Sequence, residues 1–328
     1  MRLVRAEWSR LFARRFTKIM MGLILLVMLL VGLGFAANTH RITEADHAAA
    51  RAQIAEQQRF FEQMVAECQR AQQNGDTSGK YPPNCEFGDP GFREEYYLPY
   101  QFNFKREVPA LVLVAAGVLT LFGFVVGASF VGAEWSSGGM MNLLLWRPKR
   151  IPVLAAKLGT MLLGVLAVST VYVALWVVMF WVIGKTRGRM DTLTSGFWQS
   201  LALDGTRALA LALAAAAIGF ALASLGRHTA MALGVGIGYV LVVEIGTLII
   251  FGILGTRNSE RYRLTTYVGA WLVKKITLYD ETPSCGPNGC TEIQKYVITW
   301  QQGGVVIGTI AVVALVAAFF AMRRRDVT

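Results

Sequence analysis

Charge is scarce in this sequence. Asp, Glu, Lys and Arg make up 16% of its 328 residues, against about 25% in soluble domains, while 54% are hydrophobic. That balance excludes a water-soluble globular fold and points to a multispanning membrane protein. Histidine is nearly absent, with His40, His47 and His228 the whole supply. No His-Glu-x-x-His zinc helix, no Gly-x-Ser-x-Gly elbow and no pair of aspartates within a span is present, so an intramembrane enzyme has no visible nucleophile, base or metal site. A complete phosphate-binding loop is also missing. Gly184-Lys185-Thr186 supplies its end, but Met179 stands where the first Gly belongs, and an apolar span precedes it instead of a strand. The chain is therefore expected to carry no ATPase, no cofactor and no metal site of its own.

What charge there is has a pattern. The formal net charge is +11, and much of the excess flanks apolar runs at Arg2 to Lys18, Arg147 to Lys157 and Arg323 to Arg325. That is the positive-inside signal of a membrane protein, with anionic lipid as its partner rather than nucleic acid. Residues 1–18 place Val4, Trp8, Leu11, Phe12 and Phe16 at helical spacing between arginines, which predicts an amphipathic helix in the inner headgroup layer. Apolar runs predict six spans, at 19–37, 108–132, 152–183, 201–224, 229–254 and 303–322. The third is long enough that it must tilt or project. A cleaved signal peptide competes for the first run, through its basic flank and Phe35-Ala36-Ala37, but the run exceeds a usual signal core. Six crossings place both termini in the cytosol, with a cytosolic tail at 323–328. Inside lie the segment 133–151 and the turn 225–228; outside lie 38–107, 184–200 and 255–302. No internal repeat is visible, which argues against an inverted-repeat transporter.

The outside segments hold all four cysteines, Cys68, Cys85, Cys285 and Cys290. Their absence from the spans implies disulfides formed in an oxidising compartment. Four cysteines allow three pairings; proximity favours Cys68 with Cys85 and Cys285 with Cys290. A metal site is the alternative, without a recognisable ligand spacing around His40 or His47. Thr43 with Asp46 reads as a helix start, and Ile54, Phe61, Val65 and Cys68 recur at helical spacing until Gly75. A Gly- and Pro-rich loop follows, and then an aromatic cluster, Phe92, Tyr96, Tyr97, Tyr100, Phe102 and Phe104, expected at the outer interface. In 255–302, Leu264, Val268, Trp271 and Leu272 mark a further amphipathic helix.

Between the second and third spans lies Glu134 to Lys157. Trp135 to Trp146 is expected as one short interfacial helix, with Met140, Met141, Leu143, Leu144, Leu145 and Trp146 apolar and Pro148 ending it. Glu134 would precede it, favoured by the unpaired N–H groups of its first turn. Gly138 and Gly139 bare the backbone for close approach of another protein. Arg147, Lys149, Arg150 and Lys157 would hold the segment at the headgroups.

The order Glu134, Gly138, Leu143-Leu144-Leu145, Pro148, Arg150 and Lys157 resembles the coupling segment of type-2 export permeases of ATP-binding-cassette (ABC) transporters, and Arg323-Arg324-Arg325-Asp326-Val327 resembles that family's usual ending. Gly139 departs from the pattern, which usually has Thr or Ser there. The resemblance implies an all-α membrane protein of six transmembrane helices, with an N-terminal amphipathic interfacial helix and a disulfide-bearing extracellular helical domain. It implies a permease that docks two ABC ATPase subunits through this knob, those subunits binding ATP and Mg, and that pairs with a second permease copy, identical or related. Spans two and five of the two copies would line the substrate path, which makes Phe122, Phe124 and the face around Glu244 candidates for it. Gly234 and Gly238 in span five, like Gly123 and Gly127 in span two and Gly304 and Gly308 in span six, form small-residue ridges that permit close helix approach. Glu244 is either part of a substrate or proton site or a structural carboxylate, with Asp204 and Arg207 as possible neighbours. A lipophilic or amphipathic cargo, such as a drug, antibiotic or lipid, is expected from the apolar composition, and the plasma membrane of a bacterium is the expected location. A non-transporting sensor or assembly factor on the same fold is the competing reading.

Overall fold

In the structure, a computed structural model, residues 2–75, 80–82, 84–88, 91–146, 149–254, 259–279, 285–286, 289–290 and 295–324 are described. Among these residues the fold is mainly helical, and six helices are long and apolar enough to cross a membrane. The chain divides into two compact units: one comprises residues 1–30, 105–179 and 192–328, the other 31–104 and 180–191.

The larger unit opens with α1 (Arg2–Ala13) and α2 (Arg15–Asn38). The chain turns at Arg14, so Arg15 to Lys18 belong to the apolar helix and not to the amphipathic one. Next come α3 (Glu44–Gln73) of the smaller unit, α4 (Phe104–Ser136), α5 (Gly139–Trp146), α6 (Arg150–Thr186) and α7 (Ser195–Gly226). At 37 residues, α6 is about 55 Å long. Gly184-Lys185-Thr186 forms its last turn, the wrong helix end for a phosphate, because only the N-terminus presents free N–H groups. A left-handed Arg227 ends α7, and His228 caps α8 (Thr229–Gly238) by accepting the Ala230 N–H through Nδ1 at 3.1 Å. A π-helical turn, Tyr239–Ile245, joins α8 to α9 (Gly246–Leu254) as one apolar rod.

Glycine sets the centre of this unit. A Cβ on Gly123 or Gly127 of α4 would run into the carbonyls of Ala212 and Ala216 on α7, and one on Gly219 of α7 into that of Phe124. Along their most apolar stretches these two helices are about half buried, 50% and 56%, against 6% for the Thr229–Leu254 rod. The rod is thus left for lipid or another chain to cover.

Where a loop with one amphipathic helix was expected after the rod, the chain builds more. It makes a short 3₁₀ turn (Ser259–Tyr262), α10 (Leu264–Val273), strand β1 (Lys275–Tyr279), the two-residue strands β2 (Cys285–Gly286) and β3 (Gly289–Cys290), strand β4 (Lys295–Thr299) and α11 (Trp300–Arg324). β1 and β4 pair antiparallel, with Ile276 opposite Ile298 and Leu278 opposite Tyr296. This face buries Leu278 and Ile298 against Ala270 of α10. Cys285 and Cys290 are opposite one another in β2 and β3; their side chains, and so the expected bridge, lie outside the described residues. Trp271 seats against Gly303 and Gly304 of α11, and its indole N–H donates to the Arg207 carbonyl at 3.0 Å.

In the smaller unit α3 starts where Thr43 and Asp46 predict. The Asp46 carboxylate accepts both the N–H and the hydroxyl of Thr43 at 2.7 Å, and the helix ends before Gly75, which is left-handed at φ +71°. Cys68 is joined to Cys85, which ties the following loop back onto α3. The aromatic cluster does not stay together. Phe102 and Phe104 are fully buried, Phe102 against Phe35 and Phe180, because the backbone of 102–104 exchanges hydrogen bonds with Arg189. Phe92 packs on Phe61, and Tyr96 and Tyr100 are exposed. His40 and His47 face Asp46 and Glu94, at 3.3 and 2.8 Å.

Those pairs set an acid limit on this unit. Hydrogen bonds from Thr43 hold the Asp46 carboxyl below its usual range, and the hydrogen bond with His47 does the same for Glu94. A carboxyl whose pKa is lowered by folding adds stability that is complete above its unfolded value and is lost as pH falls through the lowered one. Amide protection at residues 43–47 and 94–97, corrected for the intrinsic pH dependence of exchange, is therefore expected to fall below about pH 4.

Candidate functional site

The site is built where α1, the end of α4, α5 and the start of α6 meet, all within the larger unit. α4 runs on past Gly132 to Ser136, so Trp135 belongs to it and not to the next helix. Gly138 then turns the chain at φ +70°; nothing would crowd a Cβ there, so glycine is required by backbone conformation. Its carbonyl accepts the Asn142 N–H at 3.1 Å, which begins α5. At Gly139, a Cβ would make only ordinary contacts with Ser137 and Glu134.

Glu134 consequently sits in the last turn of a helix instead of ahead of one. That end of the dipole disfavours a carboxylate, so its charge has to be met by other groups. Its Oε1 accepts from Arg14 Nη2 at 2.6 Å and its Oε2 pairs with Lys157 Nζ at 2.5 Å. Lys157 also donates to Glu7 Oε2 at 2.8 Å, and Glu7 Oε1 accepts from Arg10 at 3.1 Å. Arg14 further donates to the carbonyls of Ser129 and Phe130, at 3.2 and 2.8 Å, so it is also fastened to the backbone of the same helix. The faces of Phe130 meet both cations, Arg14 at 4.8 Å and Lys157 at 5.6 Å from the ring centroid. Lys157 and Glu7 are 1% and 0% exposed. Lys157 is thus not at the headgroups; it is the buried hub of an ionic network that fastens α1, α4 and α6 together.

α5 follows the end of α4 that carries Glu134, after the turn at Gly138. Met140 and Leu144, one turn apart, are buried, whereas Met141, Leu145 and Trp146 are exposed, the last two at 79% and 88%. Of the expected contact residues, Met140 and Leu144 therefore face inward, Leu143 lies at the edge, and the open apolar face is Met141, Leu145 and Trp146. Arg147 and Pro148 lie outside the described residues, and Arg150 begins α6. Trp135 lies beneath the guanidinium of Arg227, 5.2 Å away, which brings in the turn between α7 and α8. A crevice of about 440 Å³ separates α1 from α5, lined by Arg10, Arg14, Asn142, Leu143 and Trp146 among others. Glu7 was missed in the sequence, where the lone acid in an arginine-rich helix was its only signal.

The expected path residues are not gathered at one surface. Phe122 is buried, and the tip of the Phe124 ring fills the space beside Gly236 of α8. Gly234 and Gly238 face open space. Glu244 lies in the π-helical turn and is enclosed. It accepts from the Thr265 N–H at 3.1 Å, the Thr265 hydroxyl at 2.8 Å, Arg263 at 3.2 Å and the Tyr239 hydroxyl at 3.0 Å. Its carboxylate thus caps the N-terminus of α10. Asp204 and Arg207 pair with each other at 2.9 Å instead of with Glu244. Replacing Glu244 with Gln leaves Arg263 without an anion and is expected to lower stability by roughly 1.5–3 kcal/mol, read as an earlier thermal midpoint of the detergent-solubilised protein.

Compared with known sequences, residues 12–327 match the family described as ABC-2 family transporter protein. No curated protein sequence matches the chain.

Proposed function

Since the chain belongs to the ABC-2 transporter family, and so is a multi-pass membrane permease subunit, not itself an ATPase, of transporters that work with ATPase subunits, we propose that it exports a lipophilic or amphipathic compound. In this reading two copies, identical or closely related, form the path, and two ATPase subunits that bind ATP and Mg engage α5 from the cytosol. Both termini are cytosolic, and the membrane is the plasma membrane of a bacterium.

The observation that carries this reading is the exposed apolar end of α5, which follows a helix end held by a buried ionic network. Leu145 and Trp146 offer a partner an apolar anchor of the kind that dominates protein interfaces. Because Lys157 and Arg14 bind Glu134 from α6 and from the α1–α2 turn, a push on α5 is shared by three helices at once. ATP-driven closure of the ATPases then rocks these helices as one body and switches the path between inward- and outward-facing states. Glu134 acts as a positioning residue: its carboxylate points inward and orients α5.

The test is Glu134→Ala in the complex with its ATPase, reconstituted in liposomes. ATPase subunits are expected to remain bound while transport per ATP hydrolysed falls by about tenfold or more, the effect of shifting a two-state equilibrium by 1.4 kcal/mol. Unchanged coupling would overturn the mechanism.

A further inference from the structure

The smaller unit carries a groove that the transport reading does not use. Gln53, Glu56, Gln57, Phe60 and Phe61 fall at i, i+3, i+4, i+7 and i+8 on one face of α3. With Phe92 from the returning chain they line a space of about 670 Å³, within the range of small-molecule pockets.

The groove is braced. The Phe61 ring stands edge-to-face against Phe87 and against Phe92, each at 5.9 Å, and the Cys68–Cys85 bridge ties the strand of chain that carries Phe87 to α3. Gln57 is held by the Tyr97 hydroxyl, which donates to its Oε1 at 2.8 Å. Against this fixed background Phe60 stands 69% exposed. Beside it Glu56 stands on the same exposed face of α3, and among the described residues no ion pair engages it, Arg59 three residues on included.

We propose that this groove binds an amphipathic organic cation. Aromatic faces attract cations and offer apolar area, and the single carboxylate adds the opposite charge. Phe60, Phe61 and Phe92 would cover the apolar body, Glu56 would face the positive group, and the Gln53 and Gln57 amides would hydrogen-bond its polar edge. One carboxylate among phenylalanines does not suit a hard metal ion, which requires several oxygen ligands. An anion of the same shape would be repelled. The site is independent of whether the chain moves the ligand across the membrane.

The test uses the full chain in lipid nanodiscs, with empty nanodiscs subtracted. Benzyltrimethylammonium is the probe and phenylacetate its anionic counterpart, both followed by saturation-transfer NMR. The cation is expected to bind and the anion not to bind. Glu56→Gln and Phe60→Ala are each expected to weaken the cation by about three- to tenfold. Both positions are on the exposed face, and failure of thiol reagents to label Cys68 and Cys85 confirms that the bridge is intact in each variant. Equal binding of phenylacetate, or cation affinity unchanged in both variants, would overturn the proposal.

Discussion

Replacing Lys157 with Met is expected to destabilise the folded protein by roughly 3–5 kcal/mol, the cost of leaving buried charge without its partner. The substitution strands Glu7, which is fully buried and among the described residues keeps only Arg10, and leaves Glu134 with Arg14 as its one described partner. The cost belongs to the broken pair and not to the loss of ionic attraction as such, so it is reversible by symmetry. Removing Glu7 as well, in Glu7→Leu with Lys157→Met, takes out both buried charges, and most of the loss should return. A double-mutant cycle read by thermal or SDS-titration midpoints separates the outcomes: strong coupling between the two sites is expected, and simple additivity would mean that the pair does not share its energy.

The second large effect concerns the seam between α4 and α7. Gly127→Ala and Gly219→Ala are expected to cost roughly 1–3 kcal/mol or more, because the new Cβ meets backbone atoms of the opposite helix, which cannot rotate away as a side chain can. Gly234→Ala and Gly238→Ala place the same methyl in open space and should stay within about 0.5 kcal/mol of wild type. Four substitutions of one kind therefore divide by the neighbour that each meets. If all four behaved alike, the close packing of α4 on α7 would not be what holds this pair. A larger residue at Gly234 or Gly238 that leaves stability alone but shifts the oligomeric state would further support a second copy on the Thr229–Leu254 rod.

The spans were legible because an apolar run of about 20 residues has few other meanings. The start of α3 and the Cys68–Cys85 pairing were legible because their causes are local in the chain. Around Glu134 the sequence singled out Glu134 and Lys157 but not Glu7 or Arg14, which complete the network, and not the directions of the side chains. Glu134 was expected at the start of a helix because the second span was read as ending at Gly132, yet Gly132 is where Thr229 packs closely against α4, and the helix continues. Met140 and Leu144 look no different from Leu145 in composition; only the helices beneath α5 decide which of them is covered. Lys157 read as one more interfacial base, because its partner Glu7 is 150 residues away. Glu244 was ambiguous for the same reason: Arg263 and Thr265 reach it only because the chain folds back after α9. The β1–β4 pair had a signal in the alternation of Lys275–Tyr279, but Tyr296-Val297-Ile298 breaks the pattern in its partner, and a long connection separates the two strands.

A permease subunit of an ABC transporter should leave the membrane with its ATPase, which is tested by purifying the chain from its native membrane in mild detergent and quantifying what accompanies it. A P-loop ATPase in stoichiometric amount is predicted, still bound but uncoupled from transport in Glu134→Ala. Recovery of the chain alone, with no ATPase in either preparation, would contradict the account.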